Sequence, residues 1–516
     1  MLGCACALVG VPMVGAASVV VGMAFGPVPI TPFVRPFLPL TVIPAEPGHP
    51  PHARLWLGRA TLRWNILRDG LEAPIALSLG KLRIAGATGQ TSTIGLLDIT
   101  LEPHALLEGV FAPRVLNVRN AHLALRRGHD GTIGLDFDPA PGTLPQSNNT
   151  PLTLSALEHA CVDDTTVTMN DQLTGTHWTA APMTADLHLH TADGHQGVVG
   201  TAAMAITPDN QPGRTMHITA AGTPTDKGIV WRLNTSPLTL TTFANIQPAL
   251  ATMDVPFSLS AEAQLVAAPA TPWLLPGSLT VQAKIGAGHL AAGGSTYQTD
   301  HGTLGLHVML DHSAAQSVPM RARLLDTELV LRHPLHPTDP THELTVRLGG
   351  WLNASDLLHP THVTGALDTD IPQVAFTDLD QYWPSHAAKG GKAWVNENIT
   401  AGMASGLHTQ VRLASAHGWN ALKIAGLDGS LEGKGLTVHW LRPITPLQGM
   451  NARLEIHDLD TLTIDFQDGY QQVGTHGRIA AGPGRMTISG LSEKDQTGTI
   501  TSALAGRLDT ILALLA

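Results

Sequence analysis

Asp186, His188 and His190 are zinc-ligating side-chain types at alternating positions, so on a strand they share one face. Histidines at solvent-facing strand positions recur elsewhere, as at His307 and His439, and the chain holds 26 of them. The trio therefore reads as composition, and no metal site is expected. Gly433-Lys434-Gly435 lacks the upstream glycine and the Ser/Thr of a phosphate loop. Lys389-Gly390-Gly391-Lys392 could meet a lipid phosphate but reads as a solvated turn. No Gly-x-Ser-x-Gly elbow or His-Glu-x-x-His pair occurs, and Asp163-Asp164 has no cleft assigned to it. Cys4, Cys6 and Cys161 have neither metal nor redox spacing. No catalytic residue and no cofactor are expected, so the chain does not read as an enzyme.

The elements that would carry any site are strands. The 516 residues include 52 Gly and 37 Pro, which disfavours a helical protein. With 43% hydrophobic and 14% charged residues the chain is not disordered, and a net charge of −11 argues against a nucleic-acid partner. Alternation with period two runs through Leu97, Ile99 and Leu101, then Leu187 and Leu189, then Val281 and Ile285. It returns at Leu306 and Val308, Leu344 and Val346, Leu436 and Val438, and Leu462, Ile464 and Phe466. Polar residues take the opposite phase. Asp-Gly turn signals at Asp69, Asp130, Asp193, Asp428 and Asp468 suggest hairpins. The fold expected is a mostly β chain whose long curled antiparallel sheet forms an elongated hydrophobic groove lined by those residues. A row of separate sandwiches or a β-helix has the same periodicity and stays open at this point.

Residues 2–25 hold no charge and as a helix would span about 36 Å, enough to cross a bilayer. A cleaved signal peptide is the rival reading. The expected organisation is a transmembrane anchor at 1–26 and a Pro-rich stalk at 27–52, with nine prolines from Pro27 to Pro51. An N-terminal β module at 53–138, a linker at 139–151 and a β-groove at 152–377 follow. A Trp-containing helical segment at 378–402 precedes groove continuation at 403–516. In that segment Trp394, Val395 and Ile399 would share a helix side, Gly402 would stop it, and Trp383 with Pro384 would precede it, two Trp rings resting on the sheet.

Three stretches carry a family likeness. They are the anchor with Gly26-Pro27-Val28-Pro29-Ile30, the 53–138 module with Leu62-Arg63-Trp64 and Leu106–Pro113, and Trp383-Pro384 with Lys392-Ala393-Trp394-Val395 and Asn398–Gly402. With these the chain resembles the AsmA-like family of bacterial envelope proteins, in its YhdP branch, relatives of TamB. Members of that branch are typically much longer. The resemblance implies a single-pass inner-membrane protein with its bulk in the periplasm, a β-groove that shields acyl chains, and phospholipid as the partner. Other envelope proteins are further implied partners. The alternative is a structural or assembly scaffold of the envelope with a closed β core. A β-helical enzyme or adhesin acting on polysaccharide is a third reading.

Overall fold

Period-two alternation became strands in a mostly β chain, about 69% strand and 10% helix among the described residues. The computed structural model describes residues 22–23, 25–37, 40–43, 53–64, 74–86, 91–107, 110, 112–128, 133–136, 157–172, 175–209, 213, 215–239, 241, 248–269, 271–292, 294–313, 317–385, 389–440, 442–473, 477–491 and 497–515. The expected span at 2–25 and the linker at 139–151 fall wholly or mostly outside them. Among the described residues no helix is long and apolar enough to cross a membrane. Contacts divide the chain into two units, one made mainly of residues 1–236 and the other mainly of 275–516. Residues 53–138 and 152–236 thus belong to one unit.

In the first unit the principal strands are β1 (Ala53–Trp64), β2 (Ile75–Gly86), β3 (Thr91–Leu101), β4 (Pro113–Arg127), β5 (His159–Asp171), β6 (Thr176–Ala192), β7 (His195–Pro208), β8 (Met216–Thr225) and β9 (Gly228–Thr235). Each pairs with its chain neighbour, in a curled sheet. The expected antiparallel order is broken once, because β4 and β5 run parallel, with Leu116 beside Ala160. A parallel pair cannot be closed by a hairpin, and between these two Ile133–Leu135 pairs antiparallel with Leu125 to Arg127 of β4. Asp193 and Gly194 do make a hairpin turn, both at positive φ, between β6 and β7.

The Pro-rich stretch is not a free stalk where it is described. Val28–Pro29 pairs with Thr61 and Leu62, and Leu40–Ile43 pairs with Ala53 to Leu55. Between them Thr31 Oγ1 donates to the Ala60 carbonyl at 3.1 Å and accepts from its N–H at 2.7 Å. Proline is tolerated at a sheet edge because the missing donor would face solvent there. Pro29 therefore borders the sheet.

One line crosses five strands of this unit. Lys81, Asn120 and Asp164 adopt positive φ (55°, 51° and 46°), and Gly58 and Gly95 stand beside the first two. A Cβ on Gly58 would lie 2.9 Å from that of Lys81, and one on Gly95 would lie 3.0 Å from that of Asn120. The register on either side of Lys81 and Asn120 continues without slip. A left-handed residue redirects the side chains that follow it on its strand, and we call this aligned line a crease. The apolar alternation changes phase at the same place, from Leu77 and Leu79 to Leu82 and Ile84, and from Leu116 and Val118 to Ala121 and Leu123.

In the second unit the strands are β10 (Leu275–Ile285), β11 (Ser295–Leu310), β12 (Met320–Arg332), β13 (Leu344–Ala354), β14 (Val363–Ala375), β15 (Ile399–Ser415), β16 (Lys423–Val438), β17 (Leu447–Ile456), β18 (Leu462–Gln467), β19 (Gly477–Ser489) and β20 (Thr497–Ala505). All ten neighbouring pairs are antiparallel. Two expected turns differ. Asp428-Gly429 lies inside β16, and Asp468 at φ 66° links β18 to Gly469–Val473, both of which pair with β19. The chain closes on a helix, Leu508–Leu515, where groove strand was expected. Leu508, Ile511 and Leu512 recur at helical spacing there, a period the strand reading passed over.

Candidate functional site: one-sided apolar rows and a histidine cluster

Register, not any single strand, assembles the apolar rows. In the first unit Leu62, Leu77, Ile99, Leu116, Ala160 and Leu187 are successive cross-strand partners from β1 to β6. Alongside run Ala60, Leu79, Leu97, Val118, Val162 and Ala185. Cross-strand neighbours sit about 5 Å apart, so such rows form a continuous oily surface on one face. In the second unit Leu431, Leu454, Ile464, Met486 and Ile500 make a row over β16 to β20, and Leu279, Val308, Ala322 and Leu352 make another over β10 to β13.

Burial separates the expected groove residues into two groups. Leu97, Leu187, Leu189, Val281, Ile285, Leu306, Val308, Val346, Leu462, Ile464 and Phe466 are half-buried. Ile99, Leu101, Leu344, Leu436 and Val438 are buried. Ile99 and Leu101 pack with Ile75 and with Leu62, Trp64, Leu77, Leu97 and Leu116, all from β1 to β4, so their burial is lateral. Leu344, Leu436 and Val438 are different. They share a cluster with Phe376 and Tyr382, and Leu379, Val395 and Ile399 pack against it. There the chain covers its own face, so those three are packing residues and not open lining.

The cover consists of two helices, Leu379–Tyr382 and Lys389–Asn398. Only part of the expected arrangement holds. Trp394 is 45% exposed and does not rest on the sheet. A short helix turns one stripe inward, and here that stripe carries Val395, leaving Trp394 a residue further round the axis. Trp383 and Pro384 are half-buried after the first helix. Gly402 is not a helix stop, because β15 already begins at Ile399. It has φ 120°, and a Cβ there would lie 2.6 Å from Leu436 Cδ2. Lys392 is no loose turn residue either. It lies in the second helix and its Nζ donates to the carbonyls of Trp383 (2.8 Å) and Asp380 (3.0 Å).

Beneath this cover lies a cluster the sequence reading passed over. Asp378 is 6% and His333 4% exposed. His342 Nδ1 lies 2.6 Å from Asp378 Oδ2, and His333 Nε2 lies 3.9 Å from Oδ1. The Tyr382 hydroxyl donates to the His342 carbonyl. His336 stacks on His342 at 4.4 Å. Burial pushes the His333 imidazole below its ordinary range, more strongly than the nearby Asp378 charge raises it. The spacing His333-x-x-His336 and His342 was visible, but Asp378 arrives from another strand connection.

The polar faces hold the two cavities of note. One of about 650 Å³ in the first unit is lined by Arg119, Cys161, Asp163, Asp186, Arg232 and Asn234 among others. One of about 480 Å³ in the second unit includes Glu432, Lys434, Arg453 and Asp465. Arg485 donates to Asp465 at 2.6 and 2.8 Å, and that hydrogen bonding holds the Asp465 carboxyl below the usual range. Of the trio with zinc-ligand character, Asp186 and His188 are joined by His159 from β5, not by His190. No protein-family model, curated protein or solved structure matches the chain.

Proposed function

We infer that the half-buried apolar rows receive acyl chains, and that the protein is an AsmA-like envelope protein which shields phospholipid tails on the way between inner and outer membranes. In this reading residues 2–25 anchor it to the inner membrane and the strands work in the periplasm. One observation carries the reading: apolar partners stay in register over five and six successive strands, and most of them, though not Ile99, keep part of their surface open. Exposing an acyl chain of ~16 carbons to water costs on the order of 12 kcal/mol, at about 0.8 kcal/mol per methylene. Interchangeable aliphatic contacts offset that cost without holding any one position tightly, which suits a sliding ligand. The resemblance in Trp383-Pro384, Lys392–Val395 and Asn398–Gly402 gives the reading its family.

Photo-crosslinking tests it. A photoreactive residue replacing Leu454 or Ile464 should label phospholipid in membranes, while one replacing Arg453 or Asp465 on the opposite face should not. Equal labelling from both faces would reject the reading, and absence of label from either would favour a dry scaffold.

A further inference from the structure

We propose that His159, Asp186 and His188 form a binding site for a divalent transition metal, with zinc as its natural probe. The site is built by register. His159 on β5 stands directly opposite His188 on β6, and Cys161 stands opposite Asp186. All four belong to the phase opposite to Ala160 and Leu187, so the site lies on the polar face.

The donor atoms already converge. His159 Nε2 is 2.6 Å and His188 Nε2 is 3.3 Å from the same oxygen, Asp186 Oδ1. The two imidazoles stack with centroids 4.1 Å apart and planes 6° from parallel, so both rings must tilt toward a shared ion before their in-plane lone pairs can meet on it. Metal–nitrogen and metal–oxygen bonds of about 2.0–2.2 Å give a tetrahedron with edges of about 3.3–3.6 Å. The His188–Asp186 separation already equals such an edge, and the His159–Asp186 contact needs to open by about 0.7 Å. Two imidazoles and a carboxylate suit zinc, copper or nickel in preference to calcium or magnesium, which take oxygen. Asp186, though neither histidine, also lines the 650 Å³ cavity. All three residues are partly exposed, with side-chain accessibilities of 30%, 58% and 52%, so a hydrated ion reaches them.

Isothermal titration of the full chain with zinc at pH 7.5 tests the site. The expected result is one saturable site, weakened about 100-fold or more in His159→Ala, His188→Ala or Asp186→Asn, since even outer partners of metal ligands are worth 10–100-fold. His217→Ala, on β8, should leave it unchanged, and circular dichroism should report the same strand content throughout. Absence of saturable binding, or equal affinity across folded variants, would overturn the proposal and leave a hydrogen-bonded Asp186 network.

Discussion

His333 sits beside Asp378, His336, His342 and Tyr382, and its burial favours the neutral ring. Its folded pKa lies below the unfolded value of about 6.5. The sign follows from linkage: between those two values the unfolded chain binds more protons, so stability falls as pH drops below about 6.5. Thermal unfolding should therefore show a loss between pH 7.5 and 5.0 that is smaller in His333→Asn. An equal loss in that variant would place the sensitivity elsewhere. Periodicity made Leu187, Ile464 and their like legible as one-face residues, because alternation is local. It could not bring His159 to Asp186, 27 residues away, since that meeting depends on a register no single strand specifies.

The crease through Lys81, Asn120 and Asp164 belongs to the strands as a set. Gly95→Val should cost about 1–3 kcal/mol, because a side chain there meets Asn120 at backbone distance. Lys81→Gly should be neutral or stabilising by about 1 kcal/mol, because it removes a left-handed lysine. Urea unfolding measures both, and a Gly95→Val variant as stable as the parent would show that the crease does not depend on Gly95. The phase change from Leu79 to Leu82 was present in the sequence as a broken alternation. It reads as a strand end unless neighbouring strands break at the same height. The parallel β4–β5 pair was hidden for a related reason, as strand direction leaves no mark on composition. The run from Pro27 suggested a stalk because its missing donors were weighed without the partner strand that Val28–Pro29 and Leu40–Ile43 find in β1.

At the scale of the whole molecule, mostly-β architecture was readable from Gly, Pro and alternation, while the division near residue 236 carries no compositional shift. In the second unit β20 is exposed at every residue, pairs with β19 alone among the described strands, and shows Ile500 62% and Leu504 49% exposed. Unpaired edges of this kind recruit further strands. Ile500→Lys should reduce concentration-dependent self-association in sedimentation velocity while moving stability by no more than about 0.5 kcal/mol. An unchanged distribution would mean the edge is already occupied or inert. The crease has a different bearing. Because it is made by main-chain torsion and by missing side chains, it owes little to the residues lining either surface. Side chains elsewhere on both surfaces of the sheet can therefore be exchanged without touching the torsions that make the line.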